Sequence, residues 1–290
     1  MQTRRGNALA GMSGLDEWTF SQSDFDSIAQ IAKTYFGLSL SRSKMALIQS
    51  RLGQRMKQLG LTHFAQYLER LQGPAAKDER TELLSVLTTN VTRFFREQHH
   101  FDVLRSTILP PLLKAAAAGQ RVRFWSAGCS TGPEAFSLAM IIMDMCPTAN
   151  SLNLKILATD IDPLVITTAK TGQFPDAELG GIPQELRAKF LKGTAQSGVE
   201  EITGNVQSLI TFGVLNLIDP LPFQGPFDVV LCRNVAIYFD RDTQSKVWRA
   251  FSDVMAPEAH LFIGHSEHLT GSAKADFTKA GFTMYQRLGG

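Results

Sequence analysis

No segment of the sequence is long and apolar enough to cross a bilayer as a helix. The longest hydrophobic runs are strand-sized or broken by Asp or Pro. Direct membrane insertion is therefore not expected. The opening residues, MQTRRGNALAGMSG, carry two arginines and no useful apolar stretch, so a secretory leader is not expected either. Residues 1–17 read as a mobile tail. Cysteine is scarce: Cys129, Cys146 and Cys232 are scattered and odd in number. That argues against a disulfide framework and for free thiols in a reducing, cytoplasmic setting. The six histidines show no ligand-like spacing, with His99-His100 and the His265/His268 pair the nearest approaches, and no metal site is expected. Net charge is only +2, so neither nucleic acid nor another polyelectrolyte is implied by the whole chain.

One absence is local. Between Asp26 and Glu69 there is no acidic residue, yet Lys33, Arg42, Lys44, Arg51, Arg55 and Lys57 fall there. Arg51 and Arg55 are four apart and share a helical face, with Lys57 beside them. The ordinary reading is a solvated basic face. The alternative is a docking helix, because like charges at this spacing repel unless a partner supplies the counter-charge.

What is present is a 290-residue chain with 44% hydrophobic and 19% charged residues, ordinary for a well-cored protein and enough for two domains. The first part reads as helical only. Ser23, Asp24 and Asp26 mark the start of a helix from Phe25 to Phe36, and Gly37 ends it. Leu47, Ile48, Leu52, Met56 and Leu59 recur at helical spacing and place an apolar face on a second helix, Ser43 to Leu59. Thr62 starts a short helix through Leu71, and Asp78 to Leu87 is a fourth.

After about residue 105 strands alternate with helices. Strands are expected at Val122–Ser126, Leu154–Thr159, Leu209–Phe212, Phe227–Cys232, His260–Gly264 and Phe282–Arg287. Helices are expected at Pro133–Met145, Pro163–Lys170, Asp242–Met255 and near Ala273–Ala280. This alternation predicts a doubly wound α/β sheet. The stretch from about 172 to 206 breaks it and reads as an inserted subdomain, with a helix at Pro183–Leu191 and a small antiparallel sheet.

Ligands of such sheets bind at the carboxyl ends of the strands. The first strand runs into Ser126-Ala-Gly-Cys-Ser-Thr-Gly132-Pro-Glu134, a small-residue turn that lets a ligand approach the backbone. It lacks the G-x-G-x-x-G spacing of a dinucleotide site and the Gly-Lys-Ser/Thr of a P-loop. The second strand ends in Asp160. An acid there either accepts hydrogen bonds from a ribose diol or merely caps the next helix. An acid without a phosphate cradle suits a nucleoside with an uncharged tail, such as S-adenosylmethionine. Glu134 opens a helix, where an acid is favoured by the dipole in any case. The fourth strand runs into Arg233-Asn234, and a buried arginine needs a partner.

Taken together, several segments resemble the CheR family of chemotaxis receptor methyltransferases. They are Leu87-Thr-Thr-Asn90-Val-Thr92-Arg-Phe-Phe-Arg96-Glu97, Ser126 to Ser137, Ala158-Thr-Asp160-Ile-Asp162, Pro226 to Phe239, and Gly264-His-Ser-Glu267. They occur in family order over nearly the whole chain from about residue 20. The resemblance implies a helical N-terminal domain (18–86), a linker that helps close the cofactor site (87–104), and a Rossmann-like methyltransferase domain (105–290) carrying a small inserted β-subdomain. It implies that Asn90, Thr92, Arg96, Glu134, Asp160, Asn216, Leu217, Arg233 and Asn234 surround S-adenosylmethionine and its demethylated product S-adenosylhomocysteine. Arg96 and Tyr238 would be the catalytic pair. Where the family usually has Gly-Glu-Glu-Pro-Tyr-Ser, this chain has Gly132-Pro-Glu134-Ala-Phe-Ser137, with one acid fewer and Phe for Tyr.

The implied activity is methyl esterification of glutamate side chains on the helical bundle of a chemotaxis receptor, by a monomer. The docking helix would then be the basic one carrying Arg51, Arg55 and Lys57. Some family members tether an acidic receptor peptide on the insert; here Lys192 fills one place where a basic contact is expected, but Glu200 and Glu201 stand near a second and would repel the peptide, so tethering is expected to be weak or absent. The rival readings are a methyltransferase of RNA or a small molecule, and a non-catalytic module that binds the cofactor as a signal.

Overall fold

The computed structural model describes residues 20–74, 76–89 and 91–289. The expected tail and Asn90 lie outside the described residues. Four helices open the chain: α1 (Gln22–Phe36), α2 (Met45–Gln58), α3 (Phe64–Gln72) and α4 (Ala76–Leu87). The start of α1 is set one step earlier than Ser23. The Ser21 hydroxyl accepts from Asp24 N–H while the Asp24 carboxylate accepts from Ser21 N–H, a reciprocal cap. Gly37 closes the helix with φ of 73°. Phe25, Ile28, Ala32 and Phe36 recur at helical spacing and are buried.

After the linker, α5 (Gln98–Val103) continues through a π-helical turn at Leu104–Ile108 into α6 (Leu109–Ala117). Then follow β1 (Val122–Ala127), α7 (Pro133–Met145), β2 (Leu154–Asp160) and α8 (Pro163–Thr171). The insert contributes β3 (Gln173–Pro175), α9 (Gln184–Phe190), β4 (Leu191–Gly193), β5 (Val199–Ile202) and α10 (Gly204–Gln207). The chain returns with β6 (Ile210–Val214), β7 (Phe227–Cys232), α11 (Arg241–Val254), β8 (Met255–Ile263), β9 (Phe277–Gly281) and β10 (Met284–Arg287).

Seven strands form one sheet in the order β6-β2-β1-β7-β8-β10-β9. The first five are parallel, and β10 enters antiparallel between β8 and β9. The strand order reverses at β1 and β7, which opens a crevice at their carboxyl ends. Alternation of side chains across the pleat divides the core in two. Phe124, Val229, Leu231 and Phe262 point to the face covered by α6, α7 and the insert. Trp125, Val230, Cys232, Leu261 and Ile263 point to the other face, covered by α11 and by the N-terminal helices. The helical region therefore shares a core with the sheet. The insert forms the expected small antiparallel sheet, in the order β3-β5-β4.

One expected element is wrong. The segment near Ala273–Ala280 is not a helix but a short turn, Ser272–Asp276, followed by β9. Phe277 buries against the sheet and β9 pairs with β10, so an edge position overrides the weak helical pattern of alanine and lysine.

Candidate active site

The crevice between β1 and β7 holds a cavity of about 500 Å³, lined by the turn after β1, the end of β2, the turn after β7 and the linker. Thr92, Arg96, Glu134, Asp160, Arg233, Asn234 and Tyr238 all line it. Small residues after β1 are required by geometry. Gly128 has φ of 89°, and a Cβ there would stand 2.3 Å from Val235 Cγ2. Left-handed backbone also occurs at four non-glycine residues around the cavity: Phe95, Glu97, Ser130 and Asn234. Such positions are costly and are retained where the surroundings over-determine them.

Arg233 is the central cation. Its side chain is 2% exposed and lies between two carboxylates, 3.3 Å from Glu134 and 3.4 Å from Glu97. It also donates to the backbone carbonyl of Arg96 and sits over the Phe101 ring at 5.5 Å. Ser126 Oγ donates to Glu134 at 2.6 Å. Burial pushes the Glu134 carboxyl up, and Arg233 and Ser126 only partly counter it. At Glu97 burial works the same way but is outweighed by Arg233, Asn234 and His265, which hold that carboxyl below the usual range.

The two readings of Asp160 separate on geometry. The cap of α8 is Asp162, whose carboxylate accepts from Leu164 N–H at 2.8 Å. Asp160 caps nothing; it lines the cavity and accepts from Ser130 N–H at 2.8 Å and Asp162 N–H at 3.1 Å. Burial raises its carboxyl above the ordinary value despite those bonds. Each of its oxygens keeps a further acceptor site.

The linker is clamped onto the sheet. Phe95 N–H donates to the buried Ser137 hydroxyl at 3.0 Å, and the Phe94 ring meets Phe174 of β3 edge-on at 4.9 Å. Arg96 reaches over the cavity and donates weakly to Val91 carbonyl at 3.4 Å. Tyr238 ends a short turn after β7. Its backbone carbonyl accepts from Ser39 N–H at 2.7 Å, so the N-terminal region fixes its position. Its hydroxyl makes one long contact, 3.5 Å to Thr89 carbonyl.

Two comparisons bear on this arrangement. Residues 90–286 match the family model described as CheR methyltransferase, SAM binding domain, and residues 23–88 match that of the CheR methyltransferase all-alpha domain. The chain belongs to the CheR methyltransferase family. It is 42% identical over 252 residues to a probable chemotaxis protein methyltransferase of Rhizobium etli, covering 86% of this chain and 94% of that one. It is 36% identical over 268 residues to the chemotaxis protein methyltransferase of Escherichia coli, covering 91% of each. A third relative, from Borreliella burgdorferi, is 33% identical over 261 residues, covering 89% of this chain and 92% of that one. The CheR chain is thus an S-adenosylmethionine-dependent methyltransferase. Its residues fit that cofactor: Glu134 and Asp160 line the cavity at the strand ends with acceptor oxygens to spare, suited to a ligand bearing an ammonium group and a ribose diol.

Not every expected residue lies on the cavity. Asn216 and Leu217 follow β6 and face the N-terminal helices. Asn216 donates to Tyr35 carbonyl at 3.0 Å, and Leu217 is buried among apolar side chains. The substitution of Phe136 for Tyr is accommodated, since its ring packs against Phe174 and Phe212 at 5.7 and 5.5 Å. Glu97 and Glu267 lie within the family-like segments, but their sequence context assigns them no role. Glu267 is buried and accepts from the backbone of Asn234, Ile237 and Gly264, which holds the turn after β7 in shape. A buried acid outside any ion-pair pattern was the available signal.

The premise of an unpartnered basic helix is corrected. Arg55 grips Glu79 of α4 through two bonds of 2.9 Å and reaches Glu82 at 3.3 Å. Arg51 donates to the carbonyls of Val86 and Thr88 and to the Thr89 hydroxyl. Lys33 pairs with Asp240. Acids of α4 and the cap of α11 thus pair Arg55 and Lys33, while Arg51 is held by carbonyls without a counter-charge. Lys57 is exposed. Leu47, expected on the apolar face, is 49% exposed. On the insert, Arg187 lies 2.5 Å from Glu200 and Lys192 lies 3.5 Å from Glu201. These basic side chains are already matched by acids.

Proposed function

We propose that this CheR chain transfers the methyl group of S-adenosylmethionine to glutamate side chains of a chemotaxis receptor, leaving S-adenosylhomocysteine. The observation that carries the reading is that Arg96 and Tyr238 line the same cavity as Glu134 and Asp160. A cation and a hydroxyl in one cavity suit an anionic, oxygen-bearing acceptor. The names of the relatives, chemotaxis protein methyltransferases, support the receptor as its source.

The cofactor supplies an electrophilic methyl group, and the rest of the work falls to the chain. A glutamate carboxylate has a reference pKa of about 4.3 and is already a nucleophile at neutral pH, so no general base is needed. The buried thiols of Cys129 and Cys232 are pushed up by burial, which disfavours a thiolate route. Arg96 orients the acceptor carboxylate by a charge-assisted bond. Tyr238 limits its approach, and the clamped linker keeps water out. In this reading the enzyme is a cytoplasmic monomer acting on a receptor helical bundle, and its three free thiols support the reducing setting.

Incubation with methyl-labelled cofactor and receptor should place base-labile label on the receptor. Arg96→Ala and Tyr238→Phe should lower kcat by about 100-fold while leaving cofactor affinity nearly intact. Label on RNA, or cofactor binding without transfer, would overturn the proposal. Wild-type kcat in either variant would remove that residue from the catalytic pair.

A further inference from the structure

The Glu97 side chain joins the linker to the turns after β7 and β8. Its own backbone is left-handed, with φ of 56°, and it caps the start of α5. Its side chain is 11% exposed. Oε1 accepts from Asn234 Nδ2 at 3.2 Å, and lies 3.3 Å from His265 Nδ1 on the turn after β8. Oε2 lies 3.4 Å from the Arg233 guanidinium and 3.5 Å from His100 Nδ1. Arg233 in turn donates to the carbonyl of Arg96. The residue that bears the candidate catalytic guanidinium is therefore held from both sides of one peptide unit. Its carbonyl is bound by Arg233, and its successor's carboxylate is bound to the same Arg233 and to Asn234.

A merely structural carboxylate would need none of this geometry. Surface helix caps use the ordinary extended conformation, whereas this one accepts a strained backbone to aim inward. Its partners lie on the turns after β7 and β8, both at the carboxyl end of the sheet, and on α5. Buried His100, whose imidazole is drawn down to about 4 by burial with help from Arg233 and His99, stays neutral beside it and does not compete with Arg233 for the charge.

We propose that Glu97 is a positioning residue: through Arg233 and Asn234 it locks the linker so that Arg96 stands over the bound cofactor. The proposal rests on the reading that Arg96 serves methyl transfer. It does not assign Glu97 any contact with the reacting atoms. Two consequences distinguish it from a stabilising role. Loss of the lock lets Arg96 wander, which lowers kcat more than it weakens cofactor binding. Loss of the lock also matters little once Arg96 is gone.

The test uses the full chain and six forms: wild type, Arg96→Ala, Glu97→Ala, Glu97→Gln, and each Glu97 change combined with Arg96→Ala. Cofactor affinity is read by calorimetry and kcat by labelled methyl transfer to receptor, each normalised to folded protein by near-UV circular dichroism. Glu97→Ala should reduce kcat by about 100-fold, the cost of a small misplacement. Glu97→Gln keeps an acceptor for Asn234 but not the charge toward Arg233, and should fall between it and wild type. In the Arg96→Ala background the added loss should shrink to a few-fold, as for residues acting as a unit. Glu97→Gln or Glu97→Ala with wild-type kcat would overturn the proposal. So would full multiplication of the two losses in the combined variant. A wild-type enzyme that binds cofactor but does not methylate receptor would instead sink the proposed function, and is told apart by the first column of the same experiment. Should Glu97→Ala not fold, Glu97→Gln with its combined variant decides the matter alone.

Discussion

The helical region and the cavity solve the problem of buried charge in opposite ways. Around Glu79, which is 4% exposed, the carboxylate meets Arg55 through two bonds and Arg70 at 3.6 Å. Charges there are matched within the chain, and the result is a fixed contact between α2 and α4. Around the cavity Glu134 and Asp160 are both raised by burial, so their charge is only partly balanced by protein partners. A matched network fixes a shape, while an unmatched one is left for a ligand to complete.

The largest effect should come from breaking the central pair of the cavity. Arg233→Met leaves Glu97 and Glu134 buried without their cation, and removing one partner of a buried pair costs about 3–5 kcal/mol. Urea unfolding of the variant should show a loss of that size together with loss of cofactor binding. An undiminished midpoint would mean that Arg233 is not what balances those acids.

Arg55→Ala is the matching change in the helical region. It leaves Glu79 with Arg70 alone, so the cost should be smaller, about 1–3 kcal/mol. Cofactor affinity should be unchanged, because the network reaches no ligand. If cofactor binding fell as much as stability, the two networks would not be separate in function.

Asp160→Ala should weaken cofactor binding by about 1–3 kcal/mol, roughly 5- to 160-fold in Kd, with little change in stability. Calorimetry on the folded variant reads this directly, and an unchanged Kd would return Asp160 to a purely structural role.

The smallest effect is a dependence on pH whose sign differs between the two regions. Glu134 and Asp160 have raised folded values, so the native protein holds their protons more tightly than the unfolded chain does. Their contribution to stability is present below the ordinary carboxylate value and is lost as pH rises through the raised one. A cationic ligand favours the ionised forms, so its binding at mildly acidic pH should release protons. Calorimetry in buffers of different ionisation enthalpy measures that release, and heats independent of buffer would contradict it. Asp240 is the reverse case. Its hydrogen bond from Lys33 draws its carboxyl down to about 2, so its contribution is present above 3.8 and is lost as pH falls toward 2.

The sequence by itself determined the local elements and the chemistry of the strand ends. Pro133 at a helix start, Gly37 at a helix end and the apolar runs of β1 and β7 depend on backbone sterics and on neighbours a few residues away, so they are legible in one dimension. β7 and α7 lie at their expected bounds. The small-residue turn and Asp160 were legible for the same reason, and the order of motifs named the family.

Tertiary structure alone decided how charges are used. Arg55 and Glu79 are 24 residues apart, Arg233 and Glu97 lie 136 positions apart in numbering, and Lys33 reaches Asp240 across 207. Nothing in the sequence around Arg51 and Arg55 announces that α4 brings acids and open carbonyls to meet them. The same holds for β9, where pairing with β10 overrode a local helical preference. Pairing and ion matching are long-range events whose free energy depends on burial, and burial exists only once the chain has folded.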